Sequence, residues 1–370
     1  MEGEKARLFY IDNLRLLMII LVVTHHLSIT YSGGGSWYYI EGGHLDALST
    51  LWFIVFKSFN QAYFMGILFM IAGYFVAGGY DRKGFGRFIG DRFKRLMIPT
   101  LIYIAAITPF IELVELKNKW TGFSIAGFLS GTGVLWFAAA LFIFSLVYGL
   151  ARLIISRPAT VTNEKQLKPS FAQAALLILI IAGCAFLIRI VQPIGTNILN
   201  MQLCFFASYI ALFTVGIIAY RNNLFARISY KAGKRWLICG IVAGLAVLLV
   251  LVIAAVKSGN PSALKGGFTW QSAGYSLWES FVAVAMSIGL VTVFRENFNH
   301  QSEFIKAMSD SSFTVYMFHP PIIVAVTLLL KPIALLPIIK WLMLCLICIP
   351  LCFAIAYFVL QRVPILNRIL

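Results

Sequence analysis

The sequence predicts an all-α polytopic membrane helix bundle of about ten transmembrane helices, organised as one unit over residues 1–370. Three observations predict it. Hydrophobic residues fill 60% of the chain and charged residues only 12%, against about 45–50% and about 25% in soluble proteins. The apolar residues fall in runs of spanning length, roughly 20 residues, and leave no stretch for a separate water-soluble core. The Lys and Arg residues gather in alternate short loops. The net charge of +16 therefore reads as membrane topology, and nucleic-acid binding is set aside.

Along the chain, spans are expected near 14–32, 50–79, 97–114, 131–154, 171–192, 202–220, 236–256, 271–294, 312–330 and 335–360. The first run, from Leu14, ends in His25 and His26 without a small-residue cleavage site. It is read as a retained helix. The segment after it, Ser32 to Ser49, is rich in Gly, Trp and Tyr and has no Lys or Arg. It either lies on the membrane surface or folds back over a cavity. The second span is long, and tilt or an interfacial turn absorbs the excess. The third follows the basic stretch Arg87, Arg92 and Arg95 and begins near Pro99. The fourth opens at Leu135-Trp136-Phe137, the fifth carries Arg189, and the eighth carries Glu279. The ninth contains His319 just before Pro320 and Pro321, where loss of two amide donors is expected to break the helix. The tenth is again long. All six cysteines fall in apolar runs, and are expected to be buried free thiols rather than metal or redox groups.

With the N-terminus inside, 21 Lys and Arg residues fall in interior segments and six outside: Lys117, Lys119, Lys257, Lys265, Lys331 and Lys340. This asymmetry places both termini in the cytoplasm, as an even number of spans requires.

Ionisable side chains within spans are costly and point to function. Arg15 and His26 are 11 positions apart, or about 20° from alignment on a helix, whereas His25 is about 80° off that face. A shared cavity open to the cytoplasm is expected, with Arg15 near its mouth and His26 deeper. The alternative is a snorkelling arginine and a histidine that bonds a neighbouring helix. Arg92 and Arg95, at i and i+3, share a helix face. They either grip phosphates or anchor lipid headgroups. His319 either lines a cavity or satisfies a carbonyl freed by the prolines. Glu279 either sits near the outer water boundary or, as expected, forms a structural salt bridge, with Lys57 and Arg189 as candidate partners. No metal-ligand set, phosphate-binding Lys loop or nucleophile elbow is present.

The pattern resembles the membrane-bound acyltransferase-3 family. The resemblance rests on Ile11-Asp12-Asn13-Leu14-Arg15 with R-x10-H to His26, on Phe64 to Phe75, and on Asp91-Arg92-Phe93-Lys94-Arg95-Leu96-Met97-Ile98-Pro99. It continues through Leu135-Trp136-Phe137, Trp278-Glu279 and Ser312 to Pro320. The opening segment is most similar to the glucan biosynthesis protein C-like branch. Ala72 stands where the family often has Ser, and a fused SGNH-type esterase domain is not expected after the last span. The resemblance implies transfer of an acyl group, acetyl or succinyl, from cytoplasmic acyl-CoA to a hydroxyl of an extracytoplasmic glycan, in the inner (plasma) membrane. His26, Arg15 and His319 would be catalytic. Arg92, Arg95 and Arg15 would hold the CoA, and Glu279 and Trp136 would be accessory. No tightly bound cofactor or metal is expected. A glycan or acylated-product transporter is the competing reading.

Overall fold

The computed structural model describes residues 7–43, 45–114, 131–155 and 170–363. The basic-residue assignments at Lys5, Lys117, Lys119, Arg157, Lys165, Lys168 and Arg368 lie outside these. The described residues form helices and no strand. The helices are α1 (Phe9–Tyr31), α2 (Ala47–Arg92), α3 (Trp136–Ile154), α4 (Phe171–Val191), α5 (Phe206–Asn222), α6 (Tyr230–Lys257), α7 (Trp270–Asn297), the short α8 (Glu303–Asp310), α9 (Ser312–Leu329) and α10 (Pro337–Phe358).

Among the described residues nine helical stretches are long and apolar enough to cross a membrane. The second, Ala47–Ile111, runs for 65 residues and covers what the sequence suggests are two spans. It is continuous in helical character, but Gly84 has φ 69° and ψ 173°, a conformation open mainly to glycine. The chain folds back there. Tyr80 and Phe88 have ring centroids 5.7 Å apart, where eight residues of straight helix would separate them by about 12 Å. Lys83 and Asp91 form an ion pair across the same bend. Divided at Gly84, the stretch supplies two crossings. Its second half is helical through two wide π turns, Phe93–Met97 and Tyr103–Ile107. Pro99 lies between them and withholds an amide donor.

Burial sorts the helices. The span windows of Ala47–Ile111 and Trp270–Asn297 are 78% and 72% buried, with mean hydropathies of 1.7 and 1.8. Those of Tyr230–Lys257 and Pro337–Arg362 are 22% and 28% buried, with mean hydropathies of 3.1 and 2.7. The inner helices carry the polar groups and the outer ones the most apolar surface, because lipid leaves a polar group unsatisfied. Helix α1 is central and packs on α2, α7, α9 and α10. The α2–α5 seam is closed by glycine. A Cβ on Gly73 would lie 2.1 Å from the Phe213 carbonyl oxygen, and one on Gly216 would lie 2.0 Å from that of Met70. Small residues let backbones touch where apolar burial gives no driving force.

The two ends of the bundle differ. At one, Arg7 bonds Asp12 and Asp310, at 2.6 and 2.7 Å, and Asn13 donates to the carbonyls of Phe298 and His300. Gln361 donates to the Asp310 carbonyl, so the two ends of the described chain meet there. Arg221 and Arg152 converge on Asp81 at this end. At the other end lie the segments 32–46, 192–202 and 258–269. Lys340, counted from sequence as an exterior loop residue, is buried in α10 and pairs with Glu41 at 2.6 Å. The cysteines are free, but Cys184 and Cys239 are exposed on outer helices rather than buried. Sulfur is apolar enough for a lipid-facing surface.

Candidate active site

Helices α1, α2, α3, α5, α6, α7 and α9 line a cavity of about 1110 Å³. It reaches the surface among Gly34, Gly195, Asn197 and Lys265, at the end opposite the arginine-rich one. His26 lines it, and His319 sits fully buried behind His26.

The position of His319 follows from the prolines. Pro320 has no amide hydrogen, so the Tyr316 carbonyl loses its helical donor. His319 Nδ1 takes that place at 2.9 Å and also faces the Val315 carbonyl at 3.2 Å. The helix is therefore not broken: α9 runs unbroken through Pro320 and Pro321. A carbonyl only accepts, so Nδ1 carries the proton and Nε2 presents a lone pair. That lone pair faces His26 Nδ1 at 2.9 Å. His26 then donates from Nδ1, and its Nε2 keeps a lone pair. No hydrogen bond engages that Nε2 among the described residues.

The 32–46 segment folds back over this pair. Trp37 stacks on His26, with centroids 4.2 Å apart and planes 14° apart. The segment is held by Lys57, which donates to Ser32 Oγ at 2.7 Å and the Gly34 carbonyl at 3.2 Å. Tyr38 and Tyr103 hydroxyls meet at 3.0 Å above Gly133, whose φ is 50° and where a Cβ would lie 2.0 Å from the Tyr38 oxygen. At the segment's far end the Asp46 carboxyl caps α2. Hydrogen bonds from the Ser49 hydroxyl and amide hold it below its ordinary pKa. His25 turns away from the His26–His319 pair, stacks on Phe64 and faces Asn60 Nδ2 at 3.3 Å.

The other candidates divide. Trp136 lines the cavity and stacks on Tyr209 with centroids 5.9 Å apart. Gln61 donates to the Tyr209 hydroxyl at 2.9 Å. Glu279 is paired with Arg189, not Lys57, at 2.5 Å, and both are buried. Arg189 also donates to Ser276 at 3.0 Å and lies over the rings of Phe205 and Tyr275, which face the cavity. Arg15 is not among the residues lining this cavity. Its guanidinium meets Asp12 at 3.0 Å, about 17 Å along the helix from His26. The expected shared cleft of Arg15 and His26, open at the arginine end, is thus corrected: the cavity around His26 opens at the other end. Arg92 lies over Phe88 at 5.4 Å, while Arg95 is exposed within a π turn.

The acyltransferase domain family model matches residues 8–357. The chain belongs to this family. It is also 25% identical over 341 residues to glucans biosynthesis protein C of Salmonella paratyphi B, covering 85% of this chain and 82% of the relative. The protein of the same name from Salmonella heidelberg is 24% identical over 343 residues, with the same coverage. No solved structure matches the chain.

In this membrane acyltransferase the His26–His319 pair has the geometry that a general base and a group orienting it would need. Sequence reasoning found both histidines and Trp136. It missed Trp37, which stacks on His26, Tyr209, which stacks on Trp136, and Asn60, which faces His25. Trp37 sits in an irregular segment with no periodicity to read. Asn60 was legible as an amide inside a span, and Lys57, Gln61 and Phe64 share one face of α2 at i, i+4 and i+7.

Proposed function

We propose that this acyltransferase moves an acyl group from cytoplasmic acyl-CoA to a hydroxyl of an extracytoplasmic glycan, within the inner membrane. The observation that carries the reading is the oriented His26 lone pair at the inner end of a cavity walled by aromatic rings and amides. Such walls suit sugar rings, which present apolar faces and hydroxyl edges. The relatives named for glucan biosynthesis support a glycan acceptor.

In this reading the acceptor hydroxyl gives its proton to His26 Nε2 as its oxygen attacks the thioester carbonyl. The imidazolium that forms keeps its Nδ1–H on His319. Collapse of the tetrahedral intermediate expels the CoA thiolate, which takes the proton from His26 Nε2, leaving ester and thiol. A neutral imidazole suits this step, since its unperturbed pKa is about 6.5. Arg15, Arg92 and Arg95 stand at the opposite end of the bundle, where they would meet the CoA phosphates from the cytoplasm.

The test is His26→Ala in purified, lipid-reconstituted protein, followed by transfer of radiolabelled acetyl from acetyl-CoA to a β-glucan oligosaccharide. Transfer is expected to fall at least a hundredfold, the scale of general-base catalysis, with insertion and thermal stability retained. Transfer at the wild-type rate would reject the role of His26.

A further inference from the structure

The cavity carries a charge that the transfer step does not use. Among the described residues that line it there is no Asp or Glu, but there are two lysines, Lys57 and Lys265. Glu279, a buried carboxylate one turn along α7 from the cavity-lining Tyr275, is already paired with Arg189. Lys57 bonds only neutral oxygens, Ser32 Oγ and the Gly34 carbonyl, and an ammonium has three donors. One is left. Lys265 is exposed at the rim, on the segment whose carbonyl accepts from Ile194 at 2.8 Å. Neither lysine has an ion pair among the described residues. Several cations elsewhere in the molecule do have counter-charges: Lys340 has Glu41, Arg7 has Asp12 and Asp310, and Arg221 has Asp81.

Two like charges facing one space repel and raise the local potential, so without a counter-charge they are a net cost to the fold. An anion between them removes it. Lys57 stands seven residues before Phe64, the residue stacked on His25, so its Cα lies about 10 Å up the helix axis from the histidine level. This is one to two sugar units from the reacting hydroxyl. We propose that Lys57 and Lys265 form an anion-binding subsite at the cavity mouth, which takes a carboxylate or phosphate carried by the substrate.

The subsite rests on the acyltransferase reading, and the charged group has two possible carriers, the acceptor glycan or the distal end of the transferred acyl chain. The experiment crosses them. Acceptors are a β-glucan oligosaccharide with and without a single 6-phosphate. Donors are acetyl-CoA and a carboxylate-ended acyl-CoA. Binding of each acceptor is read separately from Trp37 and Trp136 fluorescence in reconstituted protein without donor. With the acceptor as carrier, the phosphorylated oligosaccharide has a KM and a dissociation constant about tenfold lower than the neutral one, the scale of a hydrogen bond to a charged group. Lys265→Glu then reverses that preference, and Lys57→Gln brings the ratio towards one. Lys265→Glu is the decisive variant, because it leaves the Lys57 bonds to Ser32 and Gly34 in place. A preference that follows the donor's carboxylate instead assigns the anion to the acyl chain. No preference for any anion in either assay, or one that both variants leave unchanged, overturns the subsite. Absence of transfer for every pair, with phosphate-selective binding intact, counts against the transfer reading and not against the subsite.

Discussion

At the scale of single residues, the sequence singled out two imidazoles that the fold brings together and misplaced an arginine. His26 and His319 stand out because imidazoles within apolar spans are rare and costly. Their direct contact was not legible, since it depends on how α1 and α9 pack. Arg15 was misplaced for a physical reason. Periodicity aligns it with His26, but Asp12 sits one turn earlier on the same helix and captures the guanidinium at i,i+3. The tautomer argument makes a sharp prediction. His319→Ala removes the acceptor for His26 Nδ1–H, so the base is no longer held in one tautomer or orientation. The turnover number should fall by 10 to 1000-fold, with a much smaller change in KM for the acceptor. Initial rates against acceptor concentration separate the two. Equal changes in both constants would mark His319 as structural support only.

At the scale of elements, the helices were legible and their terminations were not. Hydropathy found α1, α3 to α7, α9 and α10 within a few residues, because spanning length and apolar composition are imposed by the bilayer. It did not foresee that α9 would pass intact through Pro320 and Pro321, because the rescue comes from a side chain, His319, donating to the freed carbonyl. It could not choose between Lys57 and Arg189 for Glu279, since both lie in spans and only the packing of α4 on α7 decides. That choice has an energetic consequence. Arg189 and Glu279 are 0% and 2% exposed, so removing one leaves a buried charge uncompensated. Glu279→Ala should destabilise the protein by about 3–5 kcal/mol, and a paired Arg189→Met, Glu279→Leu replacement should recover much of that loss. Thermal unfolding in one fixed detergent measures both. The glycine seam behaves differently. Gly73→Val would press a branched side chain onto the Phe213 carbonyl, and no apolar exchange on α5 relieves a clash with backbone. Its unfolding temperature should drop without rescue from a smaller residue at Leu212.

At the scale of the whole molecule, the alternating loops divide the bundle into an end dense in Arg and Lys and an end that opens into the cavity. Arg82, Arg87, Arg95, Arg152, Arg221, Arg227 and Arg295 belong to the first end. The second carries Trp37, Asn197 and Lys265. The excess of basic residues predicts that the first end faces the cytoplasm. In the proposed function this would put the cavity mouth outside and the acyl-CoA phosphates beside the arginines, with donor and acceptor arriving from opposite faces to meet at His26. This orientation can be measured in intact cells. In a background with all six cysteines replaced, Ser36→Cys should react with a membrane-impermeant maleimide added outside. Arg95→Cys should react only after the membrane is permeabilised. The two positions are exposed at opposite ends, so access to the side chain does not confound the comparison. The reverse labelling would turn the molecule over. The open cavity would then face the cytoplasm, the lysine pair would sit where CoA phosphates arrive, and the donor and acceptor would exchange their routes to the same histidine.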